Sequence, residues 1–93
     1  MKALSSEQHR AWKAKMLITQ GEKVAGSDAI LVLNMEKNGY ENYIGGATFL
    51  EIFKAFELGK KIYLYNQLPE NFLKDELLGM GPMIINGNLE LIK

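Results

Sequence analysis

YIGGATFLEIFKAFELGKKIYLY, residues 43–65, carries a helix pattern followed by a strand pattern. From Phe49 onward the apolar residues recur at i, i+3, i+4 and i+7, which predicts a helix with one buried face. Gly59 fits the C-terminal cap of that helix, and residues 62–65 form an apolar run typical of a strand. The paired glycines before the helix predict a turn where the backbone comes close to a ligand, beside the unpaired N–H groups of the first helical turn.

Residues 5–33 predict a further helix and a further strand. Ser5 and Gln8 match a capping box, and apolar residues at helical spacing as far as Ala25 predict a long helix with one buried face. Gly26 breaks this pattern. Residues 29–33 form a continuous apolar run, which predicts a strand covered on both faces of a parallel sheet.

The C-terminal third predicts one more helix and one more strand. Pro69 opens a short helix that extends through residue 78. Residues 83–85 predict a third strand. Asn86-Gly87 accepts the positive backbone angles of a tight turn, and the apolar residues 89–92 predict the return strand of a hairpin.

The alternation of helices and strands predicts one α/β domain over residues 1–93, with a small open parallel sheet and flanking helices. We expect a Rossmann-like or flavodoxin-like arrangement, in which ligands bind beyond the carboxyl ends of the strands. Asn34 follows the first strand, and Gly45-Gly46 belongs to the same edge. The sequence therefore predicts a ligand pocket at this edge, with Asn34 in its lining.

The composition narrows the class of partner. The chain has 93 residues, of which 47% are hydrophobic and 24% charged, and its 11 basic and 11 acidic side chains cancel. No block of like charge indicates a nucleic-acid polymer or a membrane surface as partner. The lack of cysteine and the single histidine, His9, disfavour a metal centre, and no apolar run has the length of a signal or a membrane span. We therefore expect a soluble cytoplasmic protein with no metal and no cofactor.

Thr48 and Glu51 support two interpretations. Their spacing matches the S/T-x-x-E capping box, in which Glu51 accepts a hydrogen bond from the Thr48 backbone N–H. A carboxylate in the first helical turn is also kept ionised by the helix dipole, so Glu51 is suited to stabilise or trap the oxocarbenium-like centre of a breaking N-glycosidic bond. The spacing alone leaves both interpretations open.

The sequence places no cationic side chain beside Gly45-Gly46. We therefore expect any phosphate to be held by backbone N–H groups and the helix end, which favours monophosphates over triphosphates. Lys54, one turn further along the helix, is the nearest candidate to contribute a positive charge.

Two segments together resemble the nucleoside 2-deoxyribosyltransferase-like family. They are SDAILVLN, residues 27–34, and GGATFLE with the following LGKKI, within residues 45–62. The resemblance implies an enzyme that transfers or hydrolyses at the N-glycosidic bond of a small-molecule nucleoside or nucleotide. The implied catalytic residues are Glu51 as nucleophile and Asp28 assisting at the base. The implied substrate-binding residues are Asn34, Tyr43, Gly45, Gly46 and Thr48.

The sequence departs from this family in two places. The transferases carry an acidic residue ahead of the helix, where this chain has Ile44-Gly45-Gly46, which is closer to the GGxGTxxE motif of the nucleotide phosphoribohydrolases, or lysine decarboxylase-like proteins. The family also begins with a strand and a Gly- or Ser-rich loop, and here this first βα unit is missing. Two explanations fit this difference. The chain is a short or N-terminally truncated member of the family, or a partner subunit supplies the missing edge of the sheet. A non-catalytic nucleotide-binding or oligomer-assembly module is the alternative from another functional class.

An open sheet edge and a high apolar content predict a homodimer or a larger assembly. Some of five apolar side chains are expected to be covered only between subunits: Trp12, Met16, Phe49, Phe53 and Phe56.

Overall fold

The computed structural model describes residues 5–92, and within them helices and strands alternate as predicted. The helices are α1 (Ser6–Ala25), α2 (Gly46–Glu57) and α3 (Lys74–Gly79). The strands are β1 (Ala29–Val32), β2 (Lys61–Leu64) and β3 (Met83–Ile84), and a 3₁₀ helix at Leu89–Leu91 follows them.

The strands form a parallel sheet in the order β1-β2-β3. Val32 of β1 and Ile84 of β3 lie on either side of Leu64 in the central strand. α2 connects β1 to β2, and α3 connects β2 to β3, because parallel neighbours require a crossover connection. The predicted small parallel sheet with flanking helices is therefore confirmed.

α1 starts as predicted but is largely exposed. The Ser5 hydroxyl accepts a hydrogen bond from the Gln8 N–H at 3.1 Å, and the Gln8 side chain accepts one from the Ser5 N–H at 3.0 Å, which confirms the capping box. Within the helix Val24 alone is buried, and Ile18 is 64% exposed. A helix of 20 residues is about 30 Å long, whereas a strand of 4 residues spans about 13 Å, so much of α1 extends past the sheet. One face of α1, between Lys13 and Val24, is partly buried, so the predicted buried face is found only in part. Most of the residues predicted to form it are exposed: Ala11, Ala14, Ile18 and Ala25.

The core lies between α2 and one face of the sheet. Ile52 and Ala55 of α2 and Leu64 of β2 are fully buried there. The other buried members of the cluster are Val24, Val32, Ile44, Ile62, Leu68 and Leu77. The predicted amphipathic helix is confirmed, but its buried stripe passes through positions 52 and 55, so Phe53 and Phe56 lie exposed at its flank.

The opposite face of the sheet is largely open within residues 5–92. Tyr63 is buried, but its neighbours across the sheet, Leu31 and Met83, are exposed, and Leu33 after β1 is 61% exposed. The prediction that β1 is covered on both faces is therefore wrong. A continuous apolar run shows that a strand can be buried, but it does not show which element covers each face.

The C-terminal segment forms a turn but no hairpin. Asn86 and Gly87 have positive φ angles of 48° and 78°, which confirms the predicted tight turn. The Asn88 side chain then accepts a hydrogen bond from the Glu90 N–H at 3.1 Å and starts the 3₁₀ helix. The predicted return strand at residues 89–92 is therefore wrong.

The loop after β2 is longer than predicted. α3 begins at Lys74, and the preceding residues 69–73 form an irregular segment in which Pro69 is buried. Pro69 thus anchors a loop and does not open the helix.

No helix in residues 5–92 has both the length and the apolar character that crossing a membrane requires.

Candidate functional site

α2 begins earlier than the capping-box interpretation requires, at Gly46, with Gly45 as its N-cap residue. Gly45 is extended and Gly46 is already helical, so the two residues form the entry to α2 and not the separate turn that the sequence predicted. We keep the name glycine turn for Gly45 and Gly46. Ile44 and Phe49 occupy the N′ and N4 positions of a hydrophobic staple, and both pack into the core. This apolar anchoring accounts for the helix start at Gly45, although glycine supplies no side-chain cap.

The start of α2 carries backbone donors without partners inside the helix. The Phe49 N–H donates the first helical hydrogen bond, to the Gly45 carbonyl at 2.9 Å. The N–H groups of residues 46–48 precede it and have no acceptor within the helix. Because they lie at the positive end of the helix dipole, they are suited to bind an anion or a hydroxyl oxygen.

Thr48 and Glu51 do not form the predicted capping box. Thr48 is the third residue of α2, and Glu51 lies in its second turn, not the first. Glu51 is partly buried and takes part in neither of the two ion pairs found within residues 5–92. The helix therefore does not use Glu51 as a cap, and the carboxylate is free to meet a ligand.

Five of the seven predicted site residues line one open cleft of about 740 Å³, which we call the helix-start cleft. These five are Tyr43, Gly45, Gly46, Thr48 and Glu51. Residues 30–33, which belong to β1 and its end, complete much of the lining. The fold thus brings the predicted nucleophile and the glycine turn into one cavity.

Two lysines also line the helix-start cleft, and sequence reasoning missed both. Lys13 comes from α1, and Lys37 comes from the loop after β1, where its Nζ lies 5.3 Å from the centre of the Tyr43 ring. Glu36 and Glu51 balance these two charges in the lining. The cleft that the glycine turn lines therefore contains two cationic side chains that the sequence did not indicate. Lys37 on the same loop offered a local signal, whereas Lys13 is distant in sequence and reaches the cleft only through the fold.

Asn34 does not line the helix-start cleft. Its side chain is 0% exposed, and its amide oxygen accepts a hydrogen bond from the Asn66 N–H at 2.8 Å. Its amide nitrogen donates to the carbonyls of Asn66 at 3.2 Å and Gln67 at 2.8 Å, and the Asn66 side chain donates back to the Asn34 carbonyl at 3.1 Å. We call this pair, Asn34 and Asn66, the asparagine clamp. It ties the loop after β1 to the loop after β2, and it leaves no polar group of the Asn34 side chain without a partner.

Asp28 lies at the amino end of β1, where its side chain is exposed and its carbonyl accepts a hydrogen bond from the Lys61 N–H at 3.3 Å. It is not among the residues that line the helix-start cleft. Since α2 starts near the carboxyl ends of the strands, β1 separates the helix start from Asp28. The structure therefore does not bring Asp28 and Glu51 together.

Within residues 5–92, no three His, Asp or Glu side chains are grouped closely enough to hold a metal ion.

Comparison with protein-family models, with curated proteins and with solved structures found no match for this chain.

Proposed function

We propose that the helix-start cleft binds a nucleoside or a nucleotide and that the protein breaks its N-glycosidic bond with Glu51 as nucleophile. The observation that carries this proposal is the grouping in one cleft of the Glu51 carboxylate, the free N–H groups of the α2 start, and two lysines. A nucleotide presents complementary groups, because it has an anionic phosphate, sugar hydroxyls and an electrophilic anomeric carbon.

The proposed chemistry has two steps. The Glu51 carboxylate attacks the anomeric carbon from the face opposite the base and forms a glycosyl ester, while the base leaves with the bonding electrons and takes up a proton. A water molecule or a second base then attacks the same carbon, loses a proton to solvent and releases the Glu51 carboxylate, so that solvent also supplies the proton taken up by the departing base. Attack by water gives an N-glycoside hydrolase, and attack by a base gives a deoxyribosyltransferase.

The position of the cleft supports the proposal. We assign the domain to the Rossmann-like or flavodoxin-like class, in which ligands bind beyond the carboxyl ends of the strands. The strand order β1-β2-β3 agrees with one half of such a sheet, and α2 begins at that edge. The helix start that lines the cleft is thus where this class of sheet binds its ligands.

Lys13 and Lys37 favour a nucleotide over a nucleoside. Ammonium groups beside a helix start attract a phosphate more than they attract a neutral sugar. This observation supports a second candidate activity, that of a nucleotide phosphoribohydrolase, which would use the same cleft but require the phosphate.

A non-catalytic nucleotide-binding or assembly module is the alternative, and the distance of Asp28 from the cleft favours it.

Large apolar side chains are exposed on α1 and α2, among them Trp12, Phe53 and Phe56, while Phe49 packs against the core. We propose a homodimer or a larger assembly that covers some of this surface. Light scattering at micromolar concentration tests the proposed assembly, and a monomeric mass would contradict it.

The decisive experiment measures release of free base by chromatography. Nucleosides, 2′-deoxynucleosides and their 5′-monophosphates are each incubated with the wild-type protein and with Glu51→Gln. Base release by the wild type and none by Glu51→Gln supports the catalytic proposal. Binding without base release in either protein indicates the non-catalytic module, and no binding of any compound removes the proposal.

A further inference from the structure

A second cavity, of about 820 Å³, lies on the other side of the Gly45-Gly46 turn. One wall is the loop at residues 39–44, and the other is the segment at residues 69–73 after β2. We call it the aromatic pocket, because its lining includes the rings of Tyr40, Tyr43, Phe49 and Phe72. The sequence did not indicate this cavity, since its two walls are distant in the chain.

The two most exposed rings of the aromatic pocket are Phe72 and Tyr40, although the Tyr40 ring lies 6.5 Å from the Tyr43 ring, centre to centre. Phe72 is 86% exposed and Tyr40 is 68% exposed, and they belong to opposite walls. A phenylalanine so exposed contributes nothing to the core, and an aromatic ring held open to water beside a cavity is available to stack on another flat ring.

Hydrogen bonds hold both walls in place. In the first wall, Lys37 and Tyr40 exchange backbone hydrogen bonds of 3.0 and 2.9 Å around a turn, and the Tyr43 N–H donates to the Met35 carbonyl at 3.1 Å. In the second wall, the Asn71 side chain accepts a hydrogen bond from the Leu73 N–H at 2.9 Å. The asparagine clamp joins the two loops at their base. The backbone of the loops that carry the aromatic rings is therefore held by hydrogen bonds, which lowers the backbone entropy lost when a ligand binds.

The two cavities differ in charge. No lysine or arginine lines the aromatic pocket, whose charged residues are Glu41 and Glu70, and Glu70 is paired with Lys74 at 2.7 Å. The helix-start cleft contains both lysines. A phosphate is thus favoured on one side of the glycine turn, and a neutral ring on the other.

The glycine turn itself connects the two cavities. Tyr43, Gly45 and Gly46 line both of them. A Cβ atom on Gly46 would meet no protein atom within 4 Å, and neither glycine has a positive φ angle. The backbone conformation and packing therefore do not require glycine at position 46, whereas a ligand that crosses the turn would use the space that a side chain would fill.

We propose that the aromatic pocket binds the base of a nucleotide, a neutral planar heteroaromatic ring stacked on Phe72 and Tyr40, while the phosphate and sugar of the same molecule lie in the helix-start cleft. This inference rests on the proposed function for the identity of the ligand. It adds the second half of the site and names Gly46 as the crossing point.

The test compares three probes by calorimetry: the 5′-monophosphates of the common bases, the matching nucleosides, and ribose 5-phosphate. The variants are Phe72→Ala and Gly46→Leu, and Phe56→Ala is the matched control, because Phe56 is also an exposed phenylalanine but does not line the pocket. Circular dichroism confirms that each variant is folded.

We expect Phe72→Ala to weaken binding of at least one monophosphate by about 5- to 100-fold, as loss of one base–aromatic stacking contact does. Binding of ribose 5-phosphate should not change in Phe72→Ala, and Phe56→Ala should behave as the wild type with every probe. Gly46→Leu should weaken monophosphates more than it weakens ribose 5-phosphate, since only the monophosphates cross the turn.

Failure of this inference is distinct from failure of the proposed function. If monophosphates and ribose 5-phosphate bind equally, or if Phe72→Ala binds monophosphates as tightly as the wild type, the aromatic pocket is not the base site, although the helix-start cleft still binds phosphate. If nucleosides bind in a Phe72-dependent manner while ribose 5-phosphate does not bind, the aromatic pocket is supported and the phosphate part of the helix-start cleft is wrong. If none of the three probes binds, both proposals are overturned.

Discussion

The asparagine clamp and the helix-start cleft both place polar side chains near the carboxyl edge of the sheet, but the fold uses them differently. The Asn34 side chain is fully buried, and each of its polar atoms has a hydrogen-bond partner. Glu51 and Thr48 are partly exposed, and neither caps the helix they belong to. A buried amide must be paired for the protein to be stable, so stability alone explains Asn34. Stability does not explain Glu51, which makes it the stronger candidate for function.

The comparison predicts its largest effect at Glu51. Glu51→Gln should lower the rate of base release by about a thousandfold or more, because an amide cannot act as the anionic nucleophile. The free energy of unfolding should change by less than about 0.5 kcal/mol, since the side chain has no capping partner to lose. Base-release assays and urea unfolding measure the two quantities.

The matched control for Glu51 is Glu57→Gln, an exposed change on the same helix that removes only the 3.6 Å pair with Lys54. It should alter neither activity nor stability appreciably. If Glu51→Gln keeps full activity, the catalytic assignment is lost.

For the asparagine clamp we expect a large effect on stability, in contrast to Glu51. Asn34→Ala leaves the partly buried Asn66 N–H and two carbonyls without their Asn34 partner, so we expect a loss of about 2–4 kcal/mol in the free energy of unfolding. Asn88→Ala is the control, because the Asn88 side chain bonds the Glu90 N–H at an exposed site, and its loss should cost about 1 kcal/mol or less. Equal effects of the two changes would contradict the role given to the clamp.

Asn34→Asp sharpens this prediction through pH. The new carboxyl group would lie among the Asn66 and Gln67 carbonyls, where burial and carbonyl oxygens raise its pKa above the unfolded value of about 3.9. Because the folded state then binds the proton more tightly, the stability of this variant relative to the wild type should fall as the pH rises through the raised pKa. Urea unfolding at several pH values measures the trend, and a variant that gains stability relative to the wild type with rising pH would refute it.

The lysines of the helix-start cleft predict an intermediate effect on binding. Lys13→Met and Lys37→Met should each weaken binding of ribose 5-phosphate by about 3- to 10-fold at low salt, because each removes a positive charge from the cleft. The difference from the wild type should shrink as salt is added. Lys23→Met, on α1 but outside the cleft, is the control and should leave the affinity unchanged. Calorimetry at two salt concentrations shows whether each lysine contributes to binding through its charge or through the shape of its side chain.

We expect the smallest effect on stability from a change at Thr48. A true N-cap threonine loses about 1 kcal/mol when changed to alanine, but Thr48 is the third residue inside α2. Thr48→Ala should therefore change the free energy of unfolding by less than about 0.5 kcal/mol. Thermal unfolding tests this, and a loss of 1 kcal/mol or more would restore the capping role.

The parts of the fold that sequence predicted correctly depend on neighbours within one turn. Ser5 and Gln8 form their capping box because both partners are three residues apart. Gly59, which follows the C-cap residue Leu58 of α2, has a φ of 71°, and the Lys60 N–H donates to the Ala55 carbonyl at 2.8 Å, as a left-handed glycine permits. These interactions involve few residues, so the local sequence specifies them.

The errors arise where a distant group competes with a local pattern. Thr48 and Glu51 matched a helix start, but the apolar pair Ile44 and Phe49 packs into the core and moves the start to Gly45. Asn34 matched a pocket residue, but the loop after β2 brings Asn66 close enough to pair with it.

The sequence by itself determined the order of helices and strands, because hydrophobic spacing acts over short distances. The parallel direction of the strands followed from this order, since a helix between two strands makes the crossover that parallel neighbours need. Only the tertiary structure decided which polar side chains are paired and which are free. It brought Lys13 into the lining of the helix-start cleft, placed Asp28 away from Glu51, and formed the aromatic pocket from two loops. Those outcomes depend on packing between segments far apart in the chain, which a local sequence pattern does not predict.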